Sequence, residues 1–177
     1  MTEFAYSSLI TEIPDYPKPG VVFKYITTLL KDPEGFHGTI DAIVDHFKDA
    51  GVTKVMGAEA RGFMIAAPVA YHLDAGFVPA RKPGKLPRET FSKSYDLEYG
   101  SDELQIHQDA LEPNDVVLIV DDLIATGGTA VAQVELVKDV GAEVAGLAFL
   151  MELAFLNPRE AIAQVTDKEL FSLVQVD

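Results

Sequence analysis

The chain contains no cysteine. That excludes a disulfide framework and any zinc site built on thiolates. It has no apolar stretch approaching the roughly 20 residues that span a bilayer. Its first residues, Met1-Thr2-Glu3-Phe4-Ala5-Tyr6, lack the basic region and apolar run of a secretory leader. Positive charge is scarce: 14 Lys and Arg stand against 28 Asp and Glu, a net charge of −14. Such a surface repels nucleic acid and anionic membrane, so neither is an expected partner. It repels polyphosphates as well, and a phosphate site would need local compensation. The expectation is a cytoplasmic protein that acts on small molecules.

What is present fits one domain spanning residues 1–177, with 48% hydrophobic and 24% charged residues. The scarce cations are unevenly spread. Arg81, Lys82, Lys85, Arg88 and Lys93 place 5 of the 14 within 13 positions. This run reads either as a solvated loop or as an anion site.

Short apolar runs alternate with helical patterns. After a short N-terminal helix, prolines 14, 17 and 19 and Gly20 predict irregular structure. Helical spacing predicts helices over 36–50, 62–73 (with Pro68 starting or kinking it) and 129–140. Strands are predicted at 52–56, 77–80, 115–120 and 144–151, with a last edge strand at 171–176. Residues 82–94 show no period, as expected of a functional or mobile segment. The fold class is α/β: a mostly parallel central sheet flanked by helices, with right-handed crossovers. Ligands in such sheets sit beyond the carboxyl ends of the strands, after residues 56 and 120.

After residue 120 come Asp121 and Asp122, then Ala125-Thr126-Gly127-Gly128-Thr129 at the start of a helix. Glycines here allow a tight turn whose N–H groups, backed by the helix dipole, cradle a phosphate. Thr126 and Thr129 add hydroxyls. No lysine is present, so this is not a Walker A loop. The acid pair accepts hydrogen bonds from vicinal hydroxyls. A phosphate with a diol at sugar distance describes ribose 5-phosphate. The alternative is an ordinary turn whose Asp residues cap the helix.

Residues 117–129 resemble the ribose-phosphate motif of the type I phosphoribosyltransferases. The resemblance implies that Asp121 and Asp122 hold the ribose hydroxyls of phosphoribosyl pyrophosphate (PRPP), and that Ala125, Thr126, Gly127, Gly128 and Thr129 hold its 5-phosphate. Three further segments are similar to the adenine phosphoribosyltransferase family. Residues 14–24, Pro-Asp-Tyr-Pro-Lys-Pro-Gly-Val-Val-Phe-Lys, resemble its N-terminal base-binding segment. Residues 1–33 would then form a small hood over a core of residues 34–177, with Phe23 stacking on adenine and Val22 and Lys24 offering main-chain contacts. From the residues alone, Phe23 reads as core. Residues 57–63 resemble the family's pyrophosphate loop, which makes Arg61 a pyrophosphate ligand; the alternative is an Arg61–Glu59 surface pair. Residues 81–100 resemble its flexible catalytic loop, which implies that Arg81, Lys82 and Lys85 contact pyrophosphate and that Glu98 exchanges a proton with the purine. Glu98 also reads as a solvated acid near a hinge. The chain departs from the family pattern at Tyr25, usually acidic, at Thr28, usually proline, and at Ala66, often glycine.

The implied reaction is adenine plus PRPP giving AMP plus pyrophosphate. Mg²⁺ would enter with the PRPP oxygens, with no direct protein ligand assigned. The family implies a homodimer. The rivals are a phosphoribosyltransferase for xanthine, guanine or hypoxanthine, and a non-catalytic PRPP-binding regulator.

Overall fold

The computed structural model describes residues 6–96 and 101–177. A 3₁₀ turn at Tyr6–Leu9 leads into an antiparallel hairpin of β1 (Thr11–Pro14) and β2 (Val22–Tyr25), then the short helix α1 (Thr27–Leu30). There follow α2 (Pro33–Phe47), β3 (Lys54–Ala58), α3 (Gly62–His72), β4 (Gly76–Ala80), β5 (Thr90–Asp96) and β6 (Ser101–His107). The chain continues as β7 (Val116–Ile124), α4 (Gly128–Val140), β8 (Glu143–Leu153), α5 (Pro158–Ala163) and β9 (Leu170–Val176). Among the described residues no helix is long and apolar enough to cross a membrane.

The expected parallel sheet is present, in the order β4-β3-β7-β8-β9. Its middle strands are apolar along most of their length because both faces are covered. Along β7 the side chains alternate between two cores. Val117 and Ile119 pack with α4, α5 and the β5–β6 hairpin; Leu118 and Val120 pack with α1, α2 and α3. From β3 the chain steps outward to β4 on one side and later returns to build β7, β8 and β9 on the other. The strand order therefore reverses between β3 and β7, and a crevice opens beyond their carboxyl ends.

Helix α2 starts at Pro33, ahead of the predicted residue 36, because Asp32 accepts a hydrogen bond from Gly35 N–H at 2.8 Å and Pro33 suits a first turn. Helix α3 runs through Pro68 rather than starting there.

Two expectations need correction. The proline-rich N-terminus is not irregular throughout: Ile13 pairs with Phe23 in the β1–β2 hairpin. Pro17 and Pro19 occupy its connection, where no ladder N–H is needed. Thr28, at the family's proline position, staples this segment. Its hydroxyl accepts from Thr11 N–H at 3.1 Å and lies 2.6 Å from the Leu9 carbonyl, a link that proline would not make. The second correction is β5, which lies partly in the aperiodic 82–94 stretch and pairs with β6 along its length. Its period was hidden because two of its inward residues are not aliphatic: Lys93 reaches Asp139 at 2.9 Å, and Tyr95 packs against the core.

Candidate active site

A cavity of about 290 Å³ occupies the crevice between β3 and β7. One wall is the loop Ala58-Glu59-Ala60-Arg61 at the end of β3; the other runs from Asp121 to Ala130, with Lys82 and Tyr95 at the side. The Glu59–Ala60 peptide is cis.

The phosphate loop keeps its donors. Gly127 is the N-cap of α4 at φ +92°, and no side chain caps the helix. That left-handed backbone, with Ala161 Cβ only 3.2 Å from where a Cβ would stand, requires glycine. The capped-turn alternative fails, because Asp121 and Asp122 are not at the helix start. They belong to β7, whose pairing with β8 continues past them to Ile124↔Glu152. The predicted strand, ending at 120, was too short for this reason. Gly127, Gly128, Thr129 and Ala130 present the first turn of a 13-residue helix to the cavity. Its N–H groups and dipole favour an anion there.

The acid pair is buried, Asp121 at 9% and Asp122 at 5% exposure. Asp121 Oδ1 accepts the N–H of Asp122 at 2.8 Å. Burial above all, and then the neighbouring charge of Asp122, raise the Asp121 carboxyl well above the ordinary carboxylate range. Asp122 Oδ2 lies 2.8 Å from Arg61 Nε, an ion pair not aligned as a hydrogen bond. Gly62, the first residue of α3, must be glycine here: a Cβ would stand 2.5 Å from Asp121 Oδ1.

Arg61 thus pairs with Asp122 and not with Glu59, the partner that the surface-pair alternative required. Glu59 is taken by Arg81, with Nε at 3.2 Å and Nη2 at 3.4 Å, and by Lys82 N–H at 2.7 Å. Burial pushes the Glu59 carboxyl up, but these donors outweigh it and hold it below its ordinary value. Lys82 Nζ meets Asp102 of β6 at 2.7 Å. The Lys85 carbonyl accepts from Arg81 at 3.3 Å, but its exposed side chain does not line the cavity. The basic run therefore splits. Lys82 lines the cavity and Arg81 stands behind it on Glu59, whereas Arg88 pairs with Asp109 and Lys93 with Asp139 on α4.

Val22, Phe23 and Lys24 lie on β2 and do not line the 290 Å³ cavity. Phe23 is half-buried between two other rings: Tyr16 edge-on at 5.2 Å and Tyr25, the departure from the acidic family position, tilted at 6.4 Å. Lys24 forms an ion pair with Glu12. Glu98 lies outside the described residues. Three residues at the site escaped the sequence reading as site residues in their own right: Glu59, Tyr95 and Asp102. Tyr95 lines the cavity and Asp102 lies opposite it in the β5–β6 ladder, and no spacing in the chain signals that juxtaposition with Glu59.

The family model of the phosphoribosyl transferase domain matches residues 26–174. An adenine phosphoribosyltransferase of Solibacter usitatus (strain Ellin6076) is 55% identical over 170 residues, 96% of each chain. The chain belongs to the adenine phosphoribosyltransferase family. Solved members share its fold. The adenine phosphoribosyltransferase of Thermoanaerobacter pseudethanolicus ATCC 33223 superposes with a TM-score of 0.91 at 45% identity, covering 97% of this chain and 98% of its own. The Saccharomyces cerevisiae member, solved with D-2,5-dideoxy-2,5-imino-altritol 1,6-bisphosphate and adenine, gives 0.87 at 37% identity, covering 95% and 96%. Within an adenine phosphoribosyltransferase fold, the cavity beyond β3 and β7 is the place where the sheet reverses.

Proposed function

We propose that this cavity holds PRPP and that the protein transfers its phosphoribosyl group to adenine, giving AMP and pyrophosphate in purine salvage. One observation carries the reading: a helix N-terminus left free of side-chain caps follows two buried carboxylates, of which Asp122 keeps an oxygen without a hydrogen-bond donor. The first suits a phosphate and the second a vicinal diol, and ribose 5-phosphate has both. The yeast relative's complex with an imino-sugar bisphosphate and adenine supports the same assignment.

In this reading Ala125, Thr126, Gly127, Gly128 and Thr129 bind the 5-phosphate, and Asp121 and Asp122 accept from the ribose hydroxyls. Arg61, Arg81 and Lys82, with Lys85 from the adjoining turn, neutralise the pyrophosphate. The bond from ribose C1 to the pyrophosphate oxygen breaks and a bond from C1 to a purine nitrogen forms; that nitrogen gives up its proton. Positive charge develops on the ribose between these events. Holding sugar and base in line and excluding water are the protein's contributions. Phe23 supplies a face for the base, with Val22 and Lys24 contributing main-chain groups. Glu98 is the candidate for the proton, through its place in Leu97-Glu98-Tyr99.

Among the described residues no group of three or more His, Cys, Asp and Glu could hold a metal by itself. A buried carboxylate pair beside a phosphate cradle fits Mg²⁺ carried by substrate oxygens, which is how that ion commonly binds. When bound, Mg²⁺ would offset negative charge on the leaving pyrophosphate.

A homodimer is part of the same proposal. Tyr71 is 82% exposed and shares a face of α3 with Met64, seven residues earlier, while Phe77 on the edge strand β4 touches Phe63 at 5.5 Å. Exposed apolar groups gathered in this way suit a protein partner. A cytoplasmic location is proposed on the cysteine-free composition.

The deciding assay is pyrophosphate release with PRPP, Mg²⁺ and a panel of purines. Release with adenine, and weak release with guanine, hypoxanthine and xanthine, is expected. Equal turnover of a 6-oxopurine overturns the base assignment, and PRPP binding without base-dependent release overturns the enzyme. Phe23→Ala should raise KM for adenine about tenfold, the scale of one base–aromatic stack, while KM for PRPP stays put. Solution mass measurement checks the dimer.

A further inference from the structure

Three of the four cations assigned to pyrophosphate already hold a carboxylate: Arg61 with Asp122, Arg81 with Glu59, and Lys82 with Asp102. The third pair differs from the others. Asp122 and Glu59 sit on the walls at the ends of β7 and β3, where backbone N–H groups or a ribose give them other work. Asp102 belongs to the β5–β6 hairpin and comes to the site from above α4. The hairpin's construction delivers it there. Asp102 lies directly opposite Tyr95 in the ladder register. Its Oδ1 accepts the N–H of Glu103 at 2.9 Å, which turns Oδ2 towards Lys82 Nζ at 2.7 Å. Tyr95 itself lines the cavity, as does Thr129 of the phosphate loop. The hairpin thus brings one carboxylate to Lys82 at the side of the cavity.

We propose that Asp102 sets the affinity of this enzyme for pyrophosphate, because its carboxylate and the pyrophosphate group compete for Lys82. The inference rests on the reading that Lys82 meets the leaving group. A lysine ammonium is a compact point charge on a flexible stem, half of it here in solvent. It can turn from one anion to another without moving the backbone. A carboxylate within reach makes the exchange nearly balanced: the incoming anion gains Lys82 and gives up the attraction that Asp102 already enjoyed. Binding is weaker than the ammonium alone would make it, and the product leaves faster for the same reason. Without Asp102 the pyrophosphate side of the cavity would carry one more unit of uncompensated positive charge. The Lys82 pair raises the basicity of its ammonium and lowers that of Asp102, so both groups are fully charged at neutral pH.

The test uses the intact enzyme and inorganic pyrophosphate as probe, titrated calorimetrically with Mg²⁺ present, on wild type, Asp102→Asn, Lys82→Ala and the double variant. Asp102→Asn is expected to tighten pyrophosphate binding roughly two- to fivefold, the scale of one partly exposed charge pair. The gain should vanish in the double variant, and KM for adenine should not move. If Lys82→Ala weakens pyrophosphate but Asp102→Asn leaves it unchanged or weakens it too, the competition is overturned while the site assignment stands. If Lys82→Ala also has no effect, Lys82 does not meet pyrophosphate, and the proposal falls with the assignment on which it rests. Asp102→Glu, which keeps the charge, separates charge from packing: affinity restored to the wild-type level supports competition, and affinity that stays high overturns it.

Discussion

Two buried carboxylate sites lie at the ends of neighbouring strands, and the fold treats them in opposite ways. Glu152, near the end of β8, is 1% exposed and fully supplied with donors. Arg159 reaches it at 2.8 and 2.7 Å, Ser172 at 2.7 Å and Gln175 at 3.2 Å. Burial pushes the Glu152 carboxyl up, but these donors outweigh burial and leave it below the ordinary range. Asp121 on β7 takes the N–H of Asp122 and faces another carboxyl group, and its pKa goes the other way. On the proposed function, the difference separates a group that holds the protein together from a group that waits for something to bind. A buried acceptor lacking donors costs stability, and a fold retains it where a ligand supplies the donors.

Removing the charges of both acids, as Asp121→Asn/Asp122→Asn, gives the largest effect. The expected loss in kcat/KM for PRPP is about a hundred- to a thousandfold, or about 3–4 kcal/mol of transition-state stabilisation, comparable to loss of a preorganised hydrogen-bonding group in other enzymes. Steady-state kinetics should show it. Under the same assay Glu152→Gln should stay within about twofold of wild type, since Glu152 lines no part of the cavity. A double variant that keeps its kcat/KM would break the comparison at its functional end.

The structural end is tested by Arg159→Ala. Glu152 would keep its Ser172 and Gln175 bonds but lose both guanidinium bonds, and unfolding in urea should show a loss of about 2 kcal/mol, at the low side because the Arg159 side chain is half exposed. The pH dependence follows from the sign of the shift. A carboxyl whose folded pKa lies below its unfolded value stabilises the protein above the unfolded pKa, and that stability is lost as the pH falls through the folded one. The gap between Arg159→Ala and wild type should therefore be widest at neutral pH and close in acid. A gap that widens in acid would mean that Glu152 is not held ionised by this pair.

Legibility in the sequence followed the same division between local and distant causes. β7 and β8 could be read from their apolar runs because both faces are buried. β1 and β5 could not, since one face of each is solvated and β5 turns Lys93 and Tyr95 inward. The phosphate loop was legible because acids, glycines and threonines lie within nine residues, Asp121 to Thr129. The pairings around it were not. Arg81 finds Glu59 from 22 positions away, and Lys82 finds Asp102 across the β5–β6 hairpin. Arg61 has a carboxylate two residues before it, yet the start of α3 aims it at Asp122. Gly62 shows the limit most clearly: nothing near it in the chain explains a glycine, but Asp121 Oδ1 stands where its Cβ would be.

The smallest effect sharpens the comparison further, because it predicts that a damaging change to the site stabilises the fold. The Asp121 carboxyl is raised by burial first and by the Asp122 charge second. A group whose folded pKa lies above its unfolded one contributes its full stability only below the unfolded value, and that contribution is lost as the pH rises through the folded value. Wild type therefore gives up stability on moving from acid to neutral pH, while Asp121→Asn, with no charge to bury, does not. Its amide oxygen still accepts the Asp122 N–H, and its size is unchanged. Thermal unfolding across pH 4 to 8 should show the variant equal to wild type at the acid end and more stable by about 1 kcal/mol near neutrality, within the range typical of stabilising changes at functional sites. Glu152→Gln should behave oppositely, least stable relative to wild type at neutral pH. If Asp121→Asn instead loses stability as the pH rises, the carboxylate is already satisfied within the protein, and the distinction between the two acids disappears.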